Sequence, residues 1–243
     1  TQGKKQLELI YRLLKSIMEY KNNPKFGFPM KTYWDSWETP YQMGAQKHRT
    51  YLLDLLKEKG VESLLDVGCG TGPIFGLICN SEEGRWDNIK KYKGVDYSEA
   101  MIRIAVEQFP WGNWEVQDAR KLKEEDDSYD CVLLMHCLDH LDDYKAAIAE
   151  AKRVSKDYIC IVFWRPFSTT DNLNDRNMMG KKEGEEPWED THLHEYNRLE
   201  MEDCFRENDL SILHIIEGQA INSDYSKYNF LYFLKVNKDA KPI

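Results

Sequence analysis

Leu64-Leu65-Asp66-Val67-Gly68-Cys69-Gly70-Thr71-Gly72-Pro73 is the stretch on which the fold turns. An apolar run ends in an acid, three glycines alternate with other residues, and a proline follows. Alternating glycines let a buried strand turn sharply and bring its backbone close to a ligand. Proline at the next position suits the first turn of a helix. A dinucleotide-binding loop would need glycine at positions 68, 70 and 73, and position 73 is Pro. Asp66 argues the same way, because a carboxylate beside the loop repels phosphates and suits an amino group.

Outward from this point the chain alternates. The pattern predicts strands over 63–67, 92–97, 114–116, 129–135 and 158–164. Helices follow the first strand to about residue 80, then Ser98 and Asp142, both good helix caps. The run YDCVLLM at 129–135 is uninterrupted, as a parallel strand covered on both faces requires. Repeated strand–helix units of this length predict an α/β protein with a parallel sheet and helices on both faces. A helix at 199–208 and strands at 210–216 and 228–236 close the chain. The link between those two strands is too short for a crossover helix, so the last strand should return antiparallel.

Before the sheet, residues 4–21 place Leu7, Ile10, Leu14 and Ile17 on one helical stripe, and 44–59 do the same with Tyr51, Leu52, Leu55 and Leu56, stopping at Gly60. The segments expected are an N-terminal helical cap and aromatic segment (1–60), a binding core (61–164), a lid insertion (165–198), and a C-terminal helix with closing strands of the same core (199–243).

Composition narrows the function. The 243 residues carry 33 basic and 42 acidic side chains, a net charge of −9, which disfavours a nucleic-acid grip through phosphates. No apolar stretch is long enough to span a bilayer. The opening Thr1-Gln2-Gly3-Lys4-Lys5 lacks an initiator Met and an apolar signal core, so a cytoplasmic location without DNA or membrane partners is expected. Six scattered cysteines without a CxxC pair read as reduced thiols. Seven Trp and fourteen Tyr are the compositional oddity. Their density in 22–44 and 165–198 suggests two covers over a site rather than a core.

The glycine stretch resembles motif I of class I S-adenosylmethionine-dependent methyltransferases, and the order of elements over 61–236 resembles that family's seven-stranded sheet. The resemblance implies a Rossmann-like doubly wound sheet, mostly parallel with an antiparallel last strand. It also implies S-adenosyl-L-methionine as cofactor and S-adenosyl-L-homocysteine as product. Asp66 and the backbone of Gly68, Cys69 and Gly70 would then meet the methionine end. Asp96, in Gly94-Val95-Asp96-Tyr97-Ser98, matches the acid that accepts the ribose hydroxyls. Tyr97 and Met101 match the positions flanking adenine, and Asp118-Ala119 the pair that reads its edge. Each acid alone reads as a loop residue; all three at the ends of successive strands read as one site.

After the fourth strand stands His136-Cys137-Leu138-Asp139-His140. It lacks the Asn/Asp-Pro-Pro-aromatic string of DNA amine methyltransferases and the Pro-Cys of cytosine C5 enzymes. It loosely resembles the ExxEH site of ubiquinone-pathway O-methyltransferases, which implies Mg²⁺. Here His replaces one carboxylate, and Mg²⁺ prefers oxygen. With His192 and His194 the string is competent for a transition metal, but the reading adopted is an acid–His pair without metal. In-line methyl transfer needs a base only where the acceptor carries a proton. His136, His140, His192 and His194 are the candidates, and His136 is also placed near the cofactor methyl.

Tyr33, Trp34, Trp37, Tyr41, Trp164 and Trp188 are the expected acceptor-pocket aromatics. Six acids without Lys or Arg between 183 and 195 suit a planar or cationic acceptor. The expected function is methyl transfer to an O or N of a small molecule. The alternatives are a protein or RNA methyltransferase, or a cofactor-binding regulatory subunit without catalysis.

Overall fold

The computed structural model describes residues 47–80, 84–141, 144–163, 172–174, 193–217 and 230–238. The chain runs α1 (Lys47–Glu58), β1 (Ser63–Val67), α2 (Pro73–Cys79), β2 (Lys91–Asp96), α3 (Glu99–Gln108), β3 (Trp114–Val116) and β4 (Tyr129–Met135). It continues through a 3₁₀ turn at Leu138–His140, α4 (Tyr144–Val154) and β5 (Ser155–Phe163), then the short strands β6 (Asn172–Asn174) and β7 (Leu193–Glu195). α5 (Arg198–Glu207), β8 (Leu210–Glu217) and β9 (Phe230–Val236) complete it.

Seven strands form one sheet in the order β3-β2-β1-β4-β5-β9-β8. β1 to β5 are parallel neighbours, whereas β9 runs antiparallel to both β5 and β8. β6 and β7 pair separately, inside the segment that the sequence leaves without a period. The chain steps outward from β1 through β2 to β3, then returns to place β4 on the other side of β1. Such a reversal opens a crevice at the carboxyl ends of the two strands, the usual ligand position in a doubly wound sheet.

Alternation along the strands divides the interior into two cores. Leu65, Val67, Val132, Leu134, Ile159 and Ile161 meet α4 and α5 on one face. Leu64, Cys131, Leu133, Met135, Cys160 and Val162 meet α1 and Ile74 of α2 on the other. Strands apolar on both sides are what YDCVLLM required. Ser98 caps α3 as expected, accepting from the Met101 N–H at 3.3 Å. Asp142 lies outside the described residues, as do residues 1–46.

Several expectations shift. Tyr51 is 44% exposed, and Leu53 takes its place beside Leu52, Leu55 and Leu56 in the buried face of α1. β5 begins three residues early, at Ser155, whose hydroxyl donates to the Tyr158 carbonyl at 2.6 Å. Tyr196, grouped with the second cover, is a core residue: its ring packs on Tyr144 and its hydroxyl reaches the carbonyls of Leu138 and Leu141. Nor is the aromatic excess confined to two covers. Phe163, Phe205, Tyr232 and Phe233 are fully buried, and Phe75, Tyr92, Phe109 and Trp114 cluster beside the glycine loop. All six cysteines are free thiols. Among the described residues no helix is long and apolar enough to cross a membrane.

Candidate active site

The glycine loop joins β1 to α2 and is pinned from beneath. The N–H groups of Gly68 and Cys69 both donate to the Val95 carbonyl, at 2.8 and 3.0 Å. Gly68 has φ +75°, and a Cβ there would stand 2.7 Å from the Cys137 Cβ, so no side chain fits. Gly70, at φ +55°, differs: a Cβ built on it meets nothing within 4 Å. The loop therefore closes against protein at Gly68 and opens at Gly70, which leaves a bare backbone edge facing free space. Trp114 supports the next turn. Its ring lies 2.6 Å from a Cβ built on Gly72 and 2.4 Å from one on Gly94, and its indole N–H donates to the Phe109 carbonyl at 2.9 Å.

Three acids stand at this edge. Asp66, the fourth residue of β1, is 1% exposed and accepts from the Tyr92 hydroxyl at 2.7 Å. Burial raises its pKa from the usual 3.8 to about 7, against the pull of Tyr92 and of the Arg49 guanidinium, while the Asp96 charge adds to the rise. Asp96 ends β2, and each of its oxygens accepts one backbone N–H: Gly70 at 2.9 Å and Ser98 at 2.8 Å. Burial raises its pKa as well, and those two N–H groups oppose the rise. A carboxylate has about four lone-pair sites, so two remain for a diol. Asp118 is held by Arg120, whose guanidinium donates to both oxygens, and its pKa is lowered by that contact. Nothing in the local residue pattern announces this pairing.

Around the acids, Met101 is 4% exposed, Ala119 is buried and Tyr97 is 45% exposed. Cys69 is buried, and its thiol titrates far above its ordinary value because burial disfavours the thiolate. Beyond β4, His136 takes φ +52°, unusual for a residue other than glycine, with its N–H bonded to the Val162 carbonyl at 2.7 Å. The next residue, Cys137, is the one that abuts Gly68. Asp139 is buried and His140 exposed. The expected base candidates thus separate: His136 stands next to the loop contact, whereas His140 faces outward. His192 and the side chain of His194 lie outside the described residues, as do Tyr33, Trp34, Trp37, Tyr41, Trp164 and Trp188. Arg49, 6% exposed in the first turn of α1, was missed because one arginine before a leucine pattern reads as a solvated face.

A model of the methyltransferase domain matches residues 39–215. The chain belongs to the S-adenosylmethionine-dependent methyltransferase family. The methyltransferase is 29% identical over 113 residues to a ubiquinone/menaquinone biosynthesis C-methyltransferase of Desulfotalea psychrophila, covering 46% of this chain and 44% of that protein. It is 34% identical over 124 residues to the tRNA N(3)-methylcytidine methyltransferase trm140 of Schizosaccharomyces pombe, covering 46% and 39%. Magnesium protoporphyrin IX methyltransferase from Synechocystis PCC 6803, solved with bound SAH, shares the fold at a TM-score of 0.59 and 18% identity, over 92% of this chain and all of that one. The methyltransferase spans less than half the length of the curated relatives it matches.

The residues present fit the family's cofactor. A ligand with a cationic end and a ribose diol would meet a buried carboxylate at Asp66 and a half-buried one at Asp96, on either side of the open backbone at Gly70.

Proposed function

We propose that this methyltransferase transfers a methyl group to an O or N of a small-molecule acceptor. Asp66 holds the amino group at the methionine end, Asp96 the ribose, and the 97–101 and 118–119 positions flank the adenine. S-adenosylmethionine held there would supply a methyl activated by its sulfonium, with S-adenosylhomocysteine as the leaving thioether. The protein's task is then alignment of the acceptor and, for a protonated acceptor, removal of its proton. His136 is the base: its left-handed backbone turns the residue out of β4 beside the Cys137–Gly68 contact, and non-glycine residues held in such conformations cluster at functional sites. Acceptor selectivity is assigned, on the sequence reading, to the segments 22–44 and 165–198, which lie largely outside the described residues.

The observation that carries the small-molecule reading is the charge of the chain, −9, with 33 basic against 42 acidic side chains. A phosphate-bearing acceptor would have to approach against that charge. The names of the ubiquinone/menaquinone and protoporphyrin relatives support the same class. The 34% identity to trm140 favours a second reading, an RNA acceptor. Transfer of labelled methyl to a panel of amines, phenols and carboxylates, run beside total tRNA, separates the two. Label in small molecules is expected; label confined to tRNA overturns the first reading in favour of the second.

A further inference from the structure

The hydrogen bonds of Asp118 do more than set an acid beside the adenine. They close a turn at the carboxyl end of β3: the Lys121 N–H donates to the Asp118 carbonyl at 2.9 Å, and the Arg120 N–H to Oδ1 at 2.9 Å. Aspartate favours such turns because its side chain can bond its own backbone two residues on. The turn is also fastened to its surroundings. The Gln117 N–H donates to the Asp96 carbonyl at 3.0 Å, the Lys123 N–H to the Gln117 Oε1 at 2.9 Å, and the Leu122 N–H to the Glu150 Oε2 at 2.8 Å. With Gln117, Ala119 and Leu122 buried, the backbone that carries Asp118 is tied to β2 and α4.

Arg120 then folds back over the turn. Its Nε donates to Oδ1 at 2.9 Å and reaches Oδ2 at 3.2 Å, and its Nη2 donates to Oδ2 at 2.7 Å. An ion pair this exposed adds little to stability. What the fork fixes is direction. A carboxylate has about four lone-pair sites, and the three N–H groups of Arg120 occupy three of them. One acceptor position is left, on Oδ2, and the fork decides where it points. The Asp118 charge adds to the rise of the Cys137 thiol pKa, and Cys137 abuts Gly68, so the carboxylate shares its edge with the glycine loop.

We infer that Arg120 is a positioning residue for purine selectivity, holding the Asp118 carboxylate so that its remaining acceptor site meets a 6-amino group and cannot turn to the neighbouring ring nitrogen. This rests on the cofactor reading above and adds a selectivity to it. Adenine carries N–H donors on C6 and an acceptor at N1. Hypoxanthine reverses the two, with a carbonyl oxygen on C6 and an N–H at N1. A fixed carboxylate pairs with the first base and repels the second, and a site built to accept an N–H rejects an analogue that lacks it. A carboxylate released from the fork can swing to the N1–H and accept hypoxanthine.

Titration calorimetry with S-adenosylhomocysteine and its deaminated counterpart, S-inosylhomocysteine, tests this. Wild-type protein should bind S-inosylhomocysteine at least tenfold more weakly, and a smaller ratio overturns the inference. Arg120 is exposed, so its substitution leaves the core intact. Arg120→Gln should cut the ratio at least fivefold, weakening S-adenosylhomocysteine while S-inosylhomocysteine is unchanged or tightened. Any smaller change in the ratio, including a parallel loss of both ligands, makes Arg120 structural and overturns the inference. Arg120→Lys keeps the charge but cannot bridge both oxygens, and should resemble Arg120→Gln; a ratio restored by lysine overturns the role of the fork. Asp118→Ala locates a failure. If it abolishes the selectivity and Arg120→Gln does not, Asp118 reads the purine without Arg120. If Asp118→Ala is as selective as wild type, the adenine lies elsewhere, and wild-type protein that binds neither ligand fails at the cofactor assignment itself.

Discussion

Asp66→Asn should gain stability relative to wild type as pH rises from 5 to 8. In the folded chain Asp66 titrates at about 7, whereas the unfolded chain returns it to about 3.8. The folded state therefore holds its proton more tightly than the unfolded one, and stability falls as pH rises from about 4 to about 7. At 1.36 kcal/mol for each pH unit of difference, the ionised carboxylate costs the fold about 4 kcal/mol at pH 8 and about 1.5 kcal/mol at pH 5. Asparagine keeps an oxygen for the Tyr92 hydroxyl but buries an NH₂ group, a penalty of about 1–3 kcal/mol that does not depend on pH. The variant's advantage over wild type should thus change by about 2.5 kcal/mol between the two pH values, or about 5–10 °C in melting temperature for a chain of this size. Paired thermal melts of both proteins without ligand measure it. A difference in melting temperature that is the same at pH 5 and pH 8 would refute the reasoning, since Asp66 would then titrate alike in both states. The same variant should bind S-adenosylhomocysteine poorly at both pH values, because the charge that meets the amino group is gone.

Asp96→Ala should weaken S-adenosylhomocysteine by at least ~1–3 kcal/mol, since it removes a charged acceptor and leaves the Gly70 and Ser98 N–H groups without their oxygen; calorimetry reads the loss. His136→Asn tolerates the left-handed backbone and should lower kcat by about 10²–10⁴, with cofactor affinity within twofold; an unchanged kcat on a protonated acceptor removes His136 as base. Trp114→Ala should cost about 3–5 kcal/mol in urea unfolding and loosen the glycine loop, because the indole fills the space beside Gly72 and Gly94.

The residues around Asp66 show how much of this was legible in the sequence. The alternation of glycines after a buried run, with a proline at the helix start, specifies strand, turn and helix from local backbone chemistry alone, and the structure follows it at each position. Asp96 was legible for the same reason, as an acid at the end of the next strand. The partners of these acids were not. Tyr92 reaches Asp66 across a strand pair, from 26 positions away, and the Arg49 charge acts on it from a helix packed on one face. No periodicity carries such contacts. The distinction between Gly70 and its neighbours was equally hidden, because it depends on where Trp114 and Cys137 pack. Tyr196 was misplaced because an aromatic in a polar stretch looks like a cover until its hydroxyl is seen at the turn after β4.

The most direct test of the account is a calorimetric titration of the folded protein with S-adenosylhomocysteine. Saturable binding with one site per chain, abolished or strongly weakened by Asp96→Ala, is the result predicted. A folded protein that takes up no S-adenosylhomocysteine, or that binds it equally well without the Asp96 carboxylate, would contradict the placement of the cofactor at the carboxyl edge of β1 and β2.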